Sequence, residues 1–303
     1  MEKIITFAGF PACASLDHLD ADIALIGIPY ATPYDPDKPP NSGNAPRAIR
    51  HESNRYADDP IAWDFDLNGT LMAGSQKTVV DFGDLPGSQN NPAGNRERIQ
   101  VAIDTILAKS TIPVILGGDD SVPIPVMRAY AGNEPFHVLQ LDAHIDWRDE
   151  VNGIGDGYSS TMRRASELDC VSSIVQGGMR GVGSARAQEY QAALDYGAHI
   201  IHSRTIMREG IDTILQHLPA GGRCFLTIDF DVLDPSIMPA VGAPTPGGLD
   251  YHTTIEIIHA VASHTTIIGA SLVELVPEAD LYDLAAITAM RIVWNLISAL
   301  VRN

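Results

Sequence analysis

Cationic side chains are scarce in this chain: 20 Lys and Arg stand against 38 Asp and Glu, a formal net charge of −18. That balance repels phosphate backbones and anionic lipid, and no local basic cluster offsets it, so nucleic acid and membrane surfaces are not expected partners. Cysteine is also sparse. Cys13, Cys170 and Cys224 are too far apart in sequence for a disulfide framework or a Cys-ligated zinc cluster, and reduced thiols in a cytoplasmic protein fit best. No uninterrupted apolar run reaches the roughly 18 residues needed to span a bilayer, and Glu2 and Pro11 make the start, Met1 to Leu16, a poor signal peptide. Asn68-Gly69-Thr70 fits the glycosylation acceptor pattern, but without a secretory signal it reads as a surface turn. Low-complexity tracts and long charge blocks are missing too, so the whole chain is expected to fold.

What is present is an apolar content of 45% over 303 residues, enough for one large α/β domain spanning 1–303 around a single buried sheet. Short apolar runs at Ile23–Ile28, Val114–Leu116, Phe136–Leu141, Cys224–Ile228 and Ile267–Val273 read as strands buried on both faces. Between or after them, Asn95–Leu107, Ala185–Tyr196, Ile211–Leu218, Thr253–Ala262 and Ala285–Arg302 can pack as helices. This alternation predicts βα units and a three-layer αβα fold with a mainly parallel sheet. The Pro- and Gly-rich stretches Pro33–Pro46 and Pro235–Gly248 read as ordered loops at the site.

Ligands of open parallel sheets bind beyond the carboxyl ends of the strands, and there the sequence is most distinctive. Phe136–Leu141 runs directly into Asp142-Ala143-His144-Ile145-Asp146. Residues two apart on extended backbone point the same way, which puts Asp142 and His144 on one face with Asp146 just beyond. Phe225–Ile228 likewise runs into Asp229-Phe230-Asp231, and Ile112–Leu116 ends in Gly117-Gly118-Asp119-Asp120-Ser121. A lone Asp-x-Asp or Gly-Gly-Asp is usually a turn. Here each motif ends a buried strand. Gathering so many carboxylates in a dry pocket is prohibitive without cations, so two divalent metals are expected. Carboxylates favour Mn²⁺, and the imidazole also admits Ni²⁺.

These residues resemble the ureohydrolase family of arginases, agmatinases and guanidino-acid hydrolases, the agmatinase-like branch most closely. The likeness extends through Ala45–Arg50, Val80–Asp84, Asp229–Pro235 with its continuation to Leu249, and Glu274, nearly the full chain. It implies an arginase-like fold and a homo-trimer or hexamer, or a hetero-oligomer with a homologue. By resemblance, Asp142 and Asp229 bridge two metals, Asp120 and Asp146 complete one site, and His144 and Asp231 complete the other. Asp146 would also orient the attacking hydroxide, and Glu274 would pair with the substrate's guanidinium. The implied activity is hydrolysis of a small cationic guanidino compound, releasing urea and an amine by attack of a metal-bridging hydroxide on the guanidinium carbon. Asn152 and Ser159, in the loop Trp147–Ser160, are the candidate substrate contacts beside Glu274, and Pro29–Asn44 is the other loop expected near the leaving amine.

Three positions depart from the family pattern. Asp120 stands where the family has His, Ser159 where it has the His of a Ser-His-Gly-Thr-like segment, and Ala243 where relatives often carry Thr. The first two departures motivate one alternative, a non-catalytic subunit that pairs with an active relative; a second, suggested by deacetylase relatives of the fold, is a metal-dependent amidohydrolase of acylated amines. Glu274 argues against the second, because an acyl group offers it no cation.

Overall fold

The computed structural model describes residues 5–35, 42–57, 62–182 and 184–303. Its strands are β1 Ile23–Ile28, β2 Val79–Asp84, β3 Ile112–Gly117, β4 Phe136–Leu141, β5 Val171–Met179, β6 His199–His202, β7 Arg223–Asp229 and β8 Thr266–Val273. All pair in parallel in one sheet, in the order β2-β1-β3-β8-β7-β4-β5-β6. The helices are α1 Ala45–Ser53, α2 Pro92–Ala108, α3 Pro123–Arg128, α4 Thr161–Ala165, α5 Ala187–Tyr196, α6 Ser203–Glu209, α7 Asp212–Leu215, α8 Tyr251–His264 and α9 Leu284–Arg302.

Alternation along the strands divides the apolar residues between two cores. Ile23 and Leu25 of β1, and Leu139 and Leu141 of β4, pack into a layer with Ile49 of α1 and the inner faces of α8 and α9. Ala24 and Ile26, with Val138, face the opposite way and join Ile99, Ile103 and Ile106 of α2 and Met127 of α3. A strand covered on both faces has no polar side to show, which is why these segments read as continuous apolar runs.

The strands that sequence reading passes over are those carrying polar or small residues. In β2, Asp81 is buried and is held from several sides. Its carboxylate accepts from Arg50 Nε at 2.8 Å, Arg50 Nη2 at 2.9 Å, Phe7 N at 2.8 Å and Gly83 N at 2.9 Å. Arg50 also donates to Asp84. The segments Ala45–Arg50 and Val80–Asp84 thus meet away from the strand ends that carry the metal motifs, as a buried ion pair that ties α1 and the chain start to the sheet edge.

Helix α9, 19 residues long, is long and apolar enough to cross a bilayer by length and composition alone. Arg291 and Asn295 interrupt its apolar run and hide it from a reading of run length, yet its length and composition pass that test. Within the fold, 78% of its most apolar window is buried, packed on α1 and α8, and Arg291 pairs with Asp64 and Asp66. It is a core helix.

Two predicted loops fare differently. Pro235–Gly248 is pinned by the Asp234 carboxylate, which accepts from Ser236 N at 3.0 Å, Gly247 N at 2.8 Å and Gly248 N at 3.2 Å. The Ser236 side chain first, then these backbone donors, hold the carboxylate's pKa down at about 2. Of Pro33–Pro46, residues 36–41 lie outside the described residues.

Removing one member of a buried ion pair strands the other's charge, a loss of about 3–5 kcal/mol. Arg50→Leu is therefore expected to cost about that much in denaturant unfolding, and the double variant Arg50→Leu/Asp81→Leu to recover part of it. A loss under about 1 kcal/mol for Arg50→Leu would show that the pair contributes no more than a surface bridge.

Candidate metal centre

Four adjacent strands, β3, β8, β7 and β4, deliver their carboxyl ends to one place. Their registers align the last residues: Leu116 lies opposite Leu272, Asp229 opposite Val273, and Leu141 opposite Ile228. The residues just beyond, 118–120, 274, 229–231 and 142–146, are thereby brought together without long-range loops.

Close backbone packing requires glycine here. A Cβ on Gly118 would lie 2.4 Å from the Pro29 carbonyl oxygen, because the Gly118 N–H donates to Ile28 O at 2.8 Å while its own carbonyl accepts from Glu274 N at 2.9 Å. Asp146 and Glu274 both sit at positive φ, 47° and 70°, a conformation that costs a non-glycine residue on the order of 1–3 kcal/mol and that clusters at functional sites.

The carboxylates hold one another through backbone donors. Asp142 Oδ1 accepts from His144 N at 2.6 Å, Asp229 Oδ1 from Asp231 N at 2.7 Å, and Asp231 Oδ1 from Ala143 N at 3.0 Å. His144 Nδ1 lies 2.9 Å from Asp231 Oδ2 and 3.4 Å from Asp142 Oδ1. Gln140 Nε2 donates to Asp142 Oδ2 at 2.7 Å and to Asp146 Oδ2 at 2.9 Å. Arg180, which sequence reading missed, directs its guanidinium at the carbonyls of Gly178, Asp231, Val232, Leu233 and Thr245 and so fixes the loop after β7.

Among the described residues two groups of potential ligand atoms form, each within 4.8 Å: Asp142, His144 and Asp231, and Asp120, Asp142 and Asp229. They share Asp142. Asp229 belongs to one group, and Asp146 lies beside both through Gln140. Burial, then repulsion from neighbouring carboxylates, pushes Asp120, Asp142 and Asp229 well above the usual carboxylate range. Burial likewise raises Asp146, and burial followed by the Asp119 charge lifts Glu274 to about 8. For His144 burial works downward, but Asp231's hydrogen bond and charge prevail and raise it.

Whether this set suits a cation is tested by Asp120: both of its oxygens are buried without a hydrogen-bond partner. Buried polar atoms almost always have a partner, and an ion would supply the missing one. The donor set, oxygen-rich with one imidazole, fits divalent metal.

The cluster opens into a cavity of about 330 Å³, lined also by Tyr34, Asp35, Asp119, Tyr158, Ser184, Gly242, Ala243 and Glu274. Of the expected substrate contacts, Glu274 and Ala243's loop are therefore on the wall. Ser159 and Asn152 are not among the lining residues. Ser159 is buried, its N–H donating to Tyr34 Oη at 3.1 Å and its carbonyl accepting from Arg148 N at 2.9 Å, while Asn152 is exposed at the tip of a turn closed by Val151 and Ile154. The loop presents Tyr158 to the cavity instead, in edge contact with Tyr34 at 4.4 Å between ring centroids.

A family model described as the arginase family matches residues 21–298. The agmatinase of Bacillus subtilis (strain 168) is 30% identical over 293 residues, 93% of each chain. The guanidinobutyrase of Pseudomonas aeruginosa is 28% identical over 287 residues, covering 91% of this chain and 86% of the relative. In fold, the proclavaminate amidino hydrolase of Streptomyces clavuligerus superposes with a TM-score of 0.83 at 23% identity, over 99% of this chain and 98% of that one. The strand-end motifs, the parallel sheet and these matches agree: the chain belongs to the arginase family, and its fold is arginase-like.

Proposed function

We propose that this protein is a hydrolase of guanidino compounds that releases urea and an amine, and that its substrate carries a cationic rather than an anionic tail. The observation that carries the reading is the shared cavity: Glu274 faces the same space of about 330 Å³ as Asp120, His144, Asp146, Asp229 and Asp231. That volume is at the small end of ligand pockets and suits a short guanidine. Among the described lining residues there is no Lys or Arg to receive a tail carboxylate, and Asp119 and Glu274 are acids whose pKa burial already raises, so a cation beside them would favour their ionised forms and a further anion would be disfavoured. A tail carboxylate, as in a guanidino acid, would meet repulsion there; an amine tail would not.

Asp120, Asp142, His144, Asp146, Asp229 and Asp231 would hold two divalent cations, Mn²⁺ in first place for the oxygen-rich set and Ni²⁺ as the alternative. When bound, such ions supply the Lewis acidity that makes water nucleophilic near neutral pH. Glu274 Oε1 is engaged by Asp120 N at 2.8 Å, which leaves Oε2 to accept an N–H from the guanidinium. Asp146 Oδ2 accepts from Gln140, and the carboxylate so held would orient the attacking water and accept its proton. Water adds to the guanidinium carbon, the bond from carbon to the substituted nitrogen breaks, and that nitrogen leaves as an amine once protonated.

The test is urea release from metal-stripped protein reloaded with Mn²⁺ or Ni²⁺. Agmatine is expected to give urea, 4-guanidinobutyrate little, and Asp229→Ala none. Equal turnover of amine and acid would refute the tail selection, and no urea despite bound metal would favour an acyl amide. Glu274→Gln is expected to lower kcat/KM at least about 10-fold, the worth of a hydrogen bond to a charged group.

Metal should also appear in stability. At Mn²⁺ a hundredfold above its Kd, linkage adds about 2.7 kcal/mol, so the thermal midpoint should rise with Mn²⁺ in the native protein and rise less in Asp229→Ala, which keeps the other ligand group. A Mn²⁺-independent midpoint in the native protein would count against the centre.

A further inference from the structure

Behind the carboxylates lies a chain of polar side chains that no solvent reaches. Gln140 and Gln176 are 0% exposed and Trp147 is 2% exposed. Trp147 Nε1 donates to Gln176 Oε1 at 2.9 Å; Gln176 Nε2 donates to Gln140 Oε1 at 2.5 Å and to the Ile145 carbonyl at 2.9 Å; and Gln140 Nε2 donates to Asp142 and Asp146. The three come from different elements: the end of β4, the middle of β5, and the loop that follows Asp146.

The direction of this chain is dictated by chemistry. An indole N–H can only donate and a backbone carbonyl can only accept. Gln176 lies between one of each, so its oxygen must face Trp147 and its amino group must face Ile145 and Gln140. Gln140 is then obliged to offer its oxygen to Gln176, and both of its N–H groups are left for the two carboxylates. Each polar atom is satisfied in this orientation, and reversing either amide would bring acceptor against acceptor, a costly arrangement in a buried network.

We propose that Trp147, Gln176 and Gln140 are positioning residues of the metal centre: the indole N–H, acting through two amides, fixes a double donor that holds one oxygen each of Asp142 and Asp146 and aims their remaining oxygens at the cations. The proposal rests on the reading of Asp142 and Asp146 as metal ligands. Outer partners of ligating groups hold those groups in place, and their loss typically lowers metal affinity or activity about 10- to 100-fold. The Trp147 indole is not among the cavity-lining residues and its N–H donates to Gln176, so that hydrogen bond reaches the carboxylates through the amides.

Calorimetric titration of metal-stripped protein with Mn²⁺, beside unfolding of the same metal-free samples, tests this. Gln140→Met, which keeps the volume and removes both donors, should weaken Mn²⁺ binding about 10- to 100-fold. Trp147→Phe, which keeps a ring against Tyr196, should weaken it by a smaller factor. The double variant should bind no more weakly than Gln140→Met alone, because both act along one path, whereas independent loosening of the fold would multiply the two factors. Unchanged affinity in Trp147→Phe, or multiplying effects in the double variant, would overturn the relay while leaving the metal centre standing. Failure of the native protein to bind Mn²⁺ would remove the centre itself, and the relay with it.

Discussion

Repulsion among buried carboxylates governs this molecule. Asp120, Asp142, Asp146, Asp229 and Asp231 are each at most 4% exposed and converge at the ends of neighbouring strands. Such a cluster would disperse in a pliable fold, because ionised groups out of water repel strongly and recover little from solvent. Here the chain cannot yield. Parallel pairing fixes the strand ends, two apolar layers clamp the sheet, and backbone N–H groups of residues 143, 144 and 231 hold individual oxygens. The left-handed backbone at Asp146 and Glu274 is a further local cost that the sheet sustains.

That same rigidity explains what the sequence reveals. Ile23–Ile28 and Phe136–Leu141 coincide with β1 and β4, since both faces of a central parallel strand must be apolar. The motif from Asp142 to Asp146 is legible because strand geometry alone aligns residues two apart. By contrast, β2 contains Asp81, whose burial makes sense only once Arg50, 31 residues earlier, is beside it. The four-residue β6 and the Ser- and Gly-bearing β5 lack an apolar signature. Arg180 and Gln176 are silent for a related reason: their partners are brought to them by sheet order. Gln140 did carry a local signal, a fully buried polar residue two before Asp142 in a run where only His137 is also polar.

The departures from the family pattern are likewise matters of context. At position 120 the side chain is an acid whose two oxygens lack partners, so this chain keeps a ligand-competent group and makes the donor set more anionic. An all-oxygen environment on that side favours hard cations, while His144 retains one nitrogen for the set. The change would bear on which ion the site could hold and how tightly, while the geometry set by β3 and the Gly118 contact with β1 remains.

Position 159 follows a different logic. A Cβ on Gly157 would lie 2.0 Å from the Tyr34 ring, so the loop at 156–160 and the segment around Tyr34 can pack only as a matched pair. With Tyr34 Oη accepting from Ser159 N, the backbone at 159 is tied to the aromatic wall and its side chain is buried, while Tyr158 takes the place facing the cavity. Ser159 is thus the backbone anchor of a wall built from two tyrosines, Tyr34 and Tyr158. Such a wall can pack against methylene groups and, through its ring faces, favour a cation over an anion. The acids around the cavity would act in the same direction, so on the proposed reading the shape of this loop and the charge of the pocket would select alike.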